Sequence, residues 1–228
     1  EVATWDDILA TNKKMINLEG MECVGGVDFA MTNDFVSVCL VFRTNGKYYV
    51  LQHTFVCTHS RDLKGIKAPL NDWAEKGHLT FIEDVEVAAH LVTDWFLKMG
   101  TKYKIKKIGI DHFRFSFLNS EFKKIGFDAY EKKNIKRIRP SDIMMIAPII
   151  NSIFINHNFV WGDVPILRWF TNNTKKIVQN GNVSYGKIEP NYRKTDGFMA
   201  LVNAVILAQE LKEKKKANPK AFKVIKFN

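Results

Sequence analysis

The hydrophobic pattern changes character part-way along the chain. From Glu22 to Ala30 the run E-C-V-G-G-V-D-F-A is apolar with a single acid inside it and predicts a strand. Met31-Thr32-Asn33-Asp34 predicts a turn, because Asn and Asp tolerate tight backbone conformations. Phe35 to Phe42 (F-V-S-V-C-L-V-F) is almost continuously apolar, as suits a strand covered on both faces. Thr44-Asn45-Gly46 is a hairpin signal, and Lys47 to Phe55 supplies the third strand of an antiparallel meander.

After His59 the pattern alternates between helix and strand. Helices are predicted for Pro69 to Lys76, Asp84 to Met99 (Val87, Leu91, Trp95 at i, i+4), Arg114 to Ile125, Ser141 to Asn156, Val164 to Thr171 and Thr195 to Lys212. Ser141 is the expected cap of its helix, Pro148 an interior breaker, and Asp84 and Asp163 read as caps. Strands are predicted for Leu79 to Ile82, Ile105 to Ile110 and Phe127 to Tyr130, and Asn180-Gly181-Asn182 marks a second hairpin between Lys176–Gln179 and Val183–Ile188. A meander followed by alternating helices and strands predicts an α/β fold with a mixed β-sheet, flanked by helices on both faces. Residues 1–20 read as a polar lead-in with one short helix near Trp5 to Lys14. Residues 21–212 read as one domain, and residues 213–228 as a basic tail.

Composition narrows the class. The chain is 46% hydrophobic and 12% aromatic, enough for a sizeable core, so disorder is not the default reading. Lys and Arg outnumber Asp and Glu by 34 to 24, a net charge of +10, which favours a polyanionic partner, nucleic acid before an anionic membrane. No apolar run reaches membrane-spanning length. Cys23, Cys39 and Cys57 sit in strand-like apolar contexts with no C-x-x-C pair, and the six histidines add no ligand spacing. Buried reduced thiols are expected, not a disulfide frame or a zinc site. The chain starts at Glu1 without a Met, as a processed or excised piece of something longer would.

Three acids stand apart by placement. Asp28 lies inside an apolar strand (G-G-V-D-F-A), Asp111 at the carboxyl end of another (I-G-I-D-H), and Asp196 in the first turn of a helix (K-T-D-G-F-M-A). A buried carboxylate is costly unless it is paired, hydrogen-bonded or bound to a cation. Three that converge suit a hard divalent ion held by oxygen. Each also has a bland reading: a strand-end acid facing solvent for Asp28, a helix cap for Asp111, a complement to the helix dipole for Asp196. Asp34 reads first as a turn residue and second as an extra ligand; His112 has no assigned role. Gly197, Ala200, Asn203, Ala204 and Ala208 keep the last helix slim for close approach to a sheet.

The basic residues cluster as Lys102, Lys104, Lys106 and Lys107, as Lys132, Lys133, Lys136, Arg137 and Arg139, and as Arg193 and Lys194. Lys136, Arg137, Arg139, Arg193 and Lys194 are the candidate phosphate contacts, Lys194 because it neighbours a candidate ligand. For Lys194 the alternative is a plain surface lysine. The second hairpin is equally a lid on a DNA groove or a structural element.

In this order the segments G-V-D-F-A-M-T-N-D-F, I-G-I-D-H-F-R and R-K-T-D-G-F-M-A-L-V-N-A resemble the three acidic motifs of the nuclease domain of the tailed-phage terminase large subunit. N-F-V-W-G-D-V-P-I-L-R-W from Asn158 to Trp169, followed by Asn172, is similar to that family's segment before its final hairpin. The resemblance covers roughly residues 22–212. It implies a ribonuclease H-like fold and two bound Mg²⁺ or Mn²⁺ ions held by Asp28, Asp111 and Asp196, with Asp28 bridging. It also implies double-strand cutting of concatemeric phage DNA during genome packaging, in the host cytoplasm. The partners implied are double-stranded DNA, an ATPase motor on the N-terminal side, the portal and the small terminase subunit. No G-x-x-x-x-G-K-[ST] loop occurs, so no ATP hydrolysis is expected of this chain, and Trp5 to Met15 would be the tail of the interdomain connection. Two other readings stay open: an integrase, transposase or resolvase of the same fold, and a non-catalytic DNA-binding module.

Overall fold

The computed structural model describes residues 1–213, so most of the expected tail, from residue 214, lies outside the described residues. The meander is present as β1 (Glu22–Asp28), β2 (Val36–Thr44) and β3 (Lys47–Cys57), paired antiparallel in sequence. β4 (Leu79–Ile82) and β7 (Phe159–Val160) both join β3 in parallel, at different points along it. On the other side β5 (Lys104–Asp111) lies parallel to β1, and β6 (Ile135–Ile138) parallel to β5. The order β4-β3-β2-β1-β5-β6 puts β2 in the interior of the sheet, and its seven leading residues are buried, which is why the sequence there has no alternation.

One sheet face carries α2 (Leu70–Glu75), α5 (Pro140–Ile155), α6 (Pro165–Asn172) and α7 (Asp196–Ala208); the other carries α3 (Ala89–Met99) and α4 (Phe115–Lys124). β8 (Thr174–Gln179) and β9 (Asn182–Lys187) form a separate hairpin. The lead-in helix α1 (Trp5–Leu9) is one turn long and packs against α5 and α6 through buried Ile8. The Thr4–Asp7 capping box starts it, and it ends at Leu9, short of the Trp5–Lys14 expectation. No helix of the described residues is long and apolar enough to cross a membrane. Cys23, Cys39 and Cys57 are free and buried.

The structure corrects several local expectations. Phe127–Tyr130 is not a strand; the chain turns there, with Asp128 accepting from the Tyr130 and Glu131 N–H groups at 2.9 and 3.2 Å. The strand is Ile135–Ile138, hidden in sequence because two of its four residues are basic. α3 starts at Ala89, not Asp84, because Thr32 bridges Glu86 and keeps that stretch extended. Asp84 therefore caps no helix. α5 starts at Pro140, where a missing N–H does no harm, and Asp142 rather than Ser141 serves its first turn by accepting the Arg139 N–H at 2.8 Å. Asp163 pairs with Arg168 at 2.8 Å instead of capping α6. α7 ends at Ala208, four residues before the expected Lys212.

Candidate active site

Two strand ends and one helix start build the site. The parallel register pairs Val27 with Ile110, so Asp28 and Asp111, the last residues of β1 and β5, sit side by side at the carboxyl edge of the sheet. Side chains two apart share a face. Asp28 therefore points the way Gly26 does, and Asp111 the way Gly109 does. Both glycines lie under α7: a Cβ on Gly26 would meet the Ala200 carbonyl oxygen at 2.0 Å, and one on Gly109 the Asn203 oxygen at 2.6 Å. The missing side chains let α7 rest on the strands, and Asn203 Nδ2 fastens it by donating to the Val27 carbonyl at 2.8 Å. The slim stripe seen in sequence is this contact. It delivers Asp196, the first residue of α7, to the same edge as Asp28 and Asp111.

The electrostatics follow from that convergence. Burial, then the charges of Asp196, Asp34 and Asp111, push the half-buried Asp28 well above the usual carboxylate range. Asp196 is 4% exposed, and burial together with the charge of Asp34 pushes it up to about 7. Its Oδ2 is buried with no hydrogen-bond partner. Asp111 is half-buried, and its Oδ1 accepts the Phe113 N–H at 2.8 Å. Among the described residues no three Asp, Glu, His or Cys side chains are drawn together tightly enough to enclose an ion. The donor set nevertheless fits a hard divalent cation. It is all carboxylate oxygen, it leaves one buried oxygen without a partner, and no Lys or Arg among the described residues is bonded to Asp28 or Asp196.

Asp34 is held differently. Its Oδ1 accepts from Lys187 at 2.5 Å and from Lys194 at 2.8 Å. Burial raises its pKa, but these two hydrogen bonds outweigh it and hold the carboxyl below the usual range. Lys194 is 0% exposed; its Nζ also bonds Asp62 Oδ2 at 3.0 Å and the Asn33 carbonyl at 2.9 Å. Lys194 is thus neither a surface lysine nor a DNA contact. It is the buried strut tying the first turn, the 3₁₀ turn Arg61–Gly65 and the start of α7 together. A fully desolvated ammonium needs such partners. Sequence reading missed Asp62 and Lys187 altogether: Asp62 lies in a polar connector and Lys187 at a hairpin end, and neither position carries a signal. The Lys187 bond also fixes the hairpin to the site.

The remaining basic candidates divide. Lys136 lies 3.5 Å from Asp142, and Arg137 donates to the Tyr130 hydroxyl at 2.9 Å and lies over the Phe115 ring, so both serve the fold of β6. Arg139 is exposed just past Ile138, the register partner of Asp111, at the acid edge of the sheet. Arg193 stands 3.6 Å from Glu189. His112 has a buried Nδ1 without a partner and sits edge-on to Phe113.

The terminase large subunit endonuclease-domain family matches residues 2–212. The chain belongs to that family. Its fold is shared with solved terminase structures and is ribonuclease H-like. The HK97 bacteriophage large terminase superposes with a TM-score of 0.79 at 17% identity, over 91% of this chain and 43% of that one. The large terminase nuclease of thermophilic phage G20c gives 0.57 at 8% identity, over 88% and 95%. The same nuclease with bound magnesium gives 0.53 at 9%, over 88% and 94%. This chain therefore spans under half the length of the HK97 protein. No curated protein sequence matches significantly. The family's role is that of a nuclease in phage DNA packaging.

Proposed function

We propose that this domain is a metal-dependent endodeoxyribonuclease that cuts concatemeric viral DNA during packaging, with Asp28, Asp111 and Asp196 as the metal ligands. The carrying observation is the apposition of Asp28 and Asp111 at neighbouring strand ends beneath the uncompensated Asp196 carboxylate. Magnesium bound to the G20c nuclease supports a divalent ion at such a site. Two ions, Mg²⁺ or Mn²⁺, would supply an activated water and neutralise the leaving oxygen of the phosphodiester. Asp28, which feels the charges of Asp196, Asp34 and Asp111, would serve both ions. The Phe113 N–H fixes the rotamer of Asp111. Asp34 is kept ionised by Lys187 and Lys194, and its charge raises the carboxyl of Asp196 while the two lysines partly offset it. Arg139, at the same edge, suits a phosphate of the bound duplex.

Double-stranded DNA is the proposed substrate. In the full assembly the partners are an ATPase motor, the portal and the small terminase subunit, in the host cytoplasm. Supercoiled plasmid incubated with the domain in Mn²⁺, Mg²⁺ or EDTA tests the reading, alongside Asp28→Asn. Cutting that needs the metal and disappears in the variant is the expected result. Cutting that persists in EDTA or in Asp28→Asn removes the carboxylates from the chemistry.

A further inference from the structure

We infer that the cavity beside the acid cluster binds one unpaired nucleotide of a DNA strand. The cavity, about 620 Å³, lies between the 3₁₀ turn, the end of α6 and the segment that leads into α7. Pockets of roughly 300–1,000 Å³ enclose one small-molecule-sized unit, which fits a nucleotide and not a duplex.

Its walls carry the two chemistries a nucleotide needs. Trp169 and Tyr192 provide aromatic faces, and Lys64, Lys67 and Arg193 provide charge for a phosphate. Trp169 is fixed by ring contacts to Trp73 at 5.7 Å and Phe170 at 5.3 Å, so a base stacking on it meets a rigid surface. Tyr192 is 55% exposed and lies against Gly65, where an added Cβ would come within 2.7 Å of its ring. An exposed aromatic resting on a glycine is an open stacking platform. Glu189 also lines the cavity and pairs with Arg193 at 3.6 Å, leaving three cations against one anion. An apolar ligand would leave those cations without a partner, and a bare phosphate would leave the aromatic walls unused.

The cavity and the acids share one strut. Asn173, in the cavity wall, donates from Nδ2 to the Lys194 carbonyl at 2.9 Å; Lys194 then bonds Asp34 and Asp62. Lys64 follows Asp62 by two residues, and Arg193 precedes Lys194. The inference rests on the reading that DNA lies over the acids. A nucleotide that enters the cavity must leave its base pair, so the cavity favours frayed or melted DNA at the cut.

The test is fluorescence anisotropy of labelled dT10 and of a ten-base-pair duplex, in EDTA so that nothing is cut. Tyr192→Ala should weaken dT10 binding roughly 5- to 150-fold, the worth of one stacked base, while Tyr192→Phe binds like the parent. Lys64→Gln with Lys67→Gln should lower the salt slope for dT10 by about 1.4, as expected for two lost single-strand phosphate contacts. Duplex affinity should stay within about twofold for the tyrosine variants. Unchanged dT10 binding in Tyr192→Ala overturns the inference, as does equal loss of dT10 and duplex. Displacement of dT10 by ATP at concentrations where dTMP does nothing overturns the strand in favour of a free nucleoside triphosphate. No readout uses metal or cleavage, so failure here and failure of the nuclease reading are separable.

Discussion

Replacing Asp196 with Asn should stabilise the metal-free domain at alkaline pH. The free carboxyl has an ordinary value of 3.8, and in the fold burial and the charge of Asp34 raise it to about 7. Below pH 3.8 the group is protonated folded or unfolded, and its contribution to stability is fully present. Between 3.8 and 7 the unfolded chain gives up the proton while the folded chain keeps it, so stability falls as pH rises; above 7 the loss is complete. The gap is roughly three pH units, or about 4 kcal/mol at 1.36 kcal/mol per unit. Asn keeps the shape without the charge. The net gain is then at most about 4 kcal/mol, or roughly 8–16 °C in Tm for a domain of this size. Thermal melts in EDTA at pH 4 and pH 8 check this: the variant should match the parent at pH 4 and exceed it at pH 8. Saturating Mn²⁺ should then raise the parent's Tm more than the variant's, since only the intact ligand set gains full binding energy. Equal Tm values at pH 8 would show that Asp196 carries no uncompensated charge.

Three further outcomes follow from the geometry. Lys194→Met leaves Asp34 and Asp62 without their shared cation and should cost about 3 kcal/mol in urea denaturation, near the low end for a broken buried pair because water reaches both carboxylates. Gly26→Ala drives a Cβ into the Ala200 carbonyl and should cost at least about 2 kcal/mol, with cleavage per folded molecule also falling as α7 lifts Asp196 from its partners; plasmid cutting normalised to folded fraction checks it. Arg139→Ala should reduce duplex affinity and flatten its salt dependence by about one unit of slope, whereas Arg137→Ala, whose guanidinium lies over Phe115, should lower Tm and leave that slope alone.

Much of the site was legible because its residues obey local rules. Asp28 in an apolar strand and Asp111 at a strand end each break a pattern, and the slim stripe from Gly197 to Ala208 announces a helix that must approach a sheet closely. The elements misjudged were those decided by non-local partners. β6 forms from a basic tetrapeptide because the edge of β5 offers it a ladder, and α3 starts late because Thr32 pairs with Glu86.

By itself the sequence determined the meander, most of the helices that follow, the mixed sheet and the placement of the three acids, since periodicity, turn residues and misplaced charge are written locally. Only the tertiary structure decided where Lys194 goes. A lysine next to a candidate ligand reads as a surface or substrate-binding group. Its burial depends on Asp34 and Asp62, which lie 160 and 132 positions earlier in the chain. The same holds for Gly26 and Gly109, whose meaning appears only when α7 crosses them. Burial and charge pairing are properties of what surrounds a residue, and those surroundings come from parts of the chain far away in sequence.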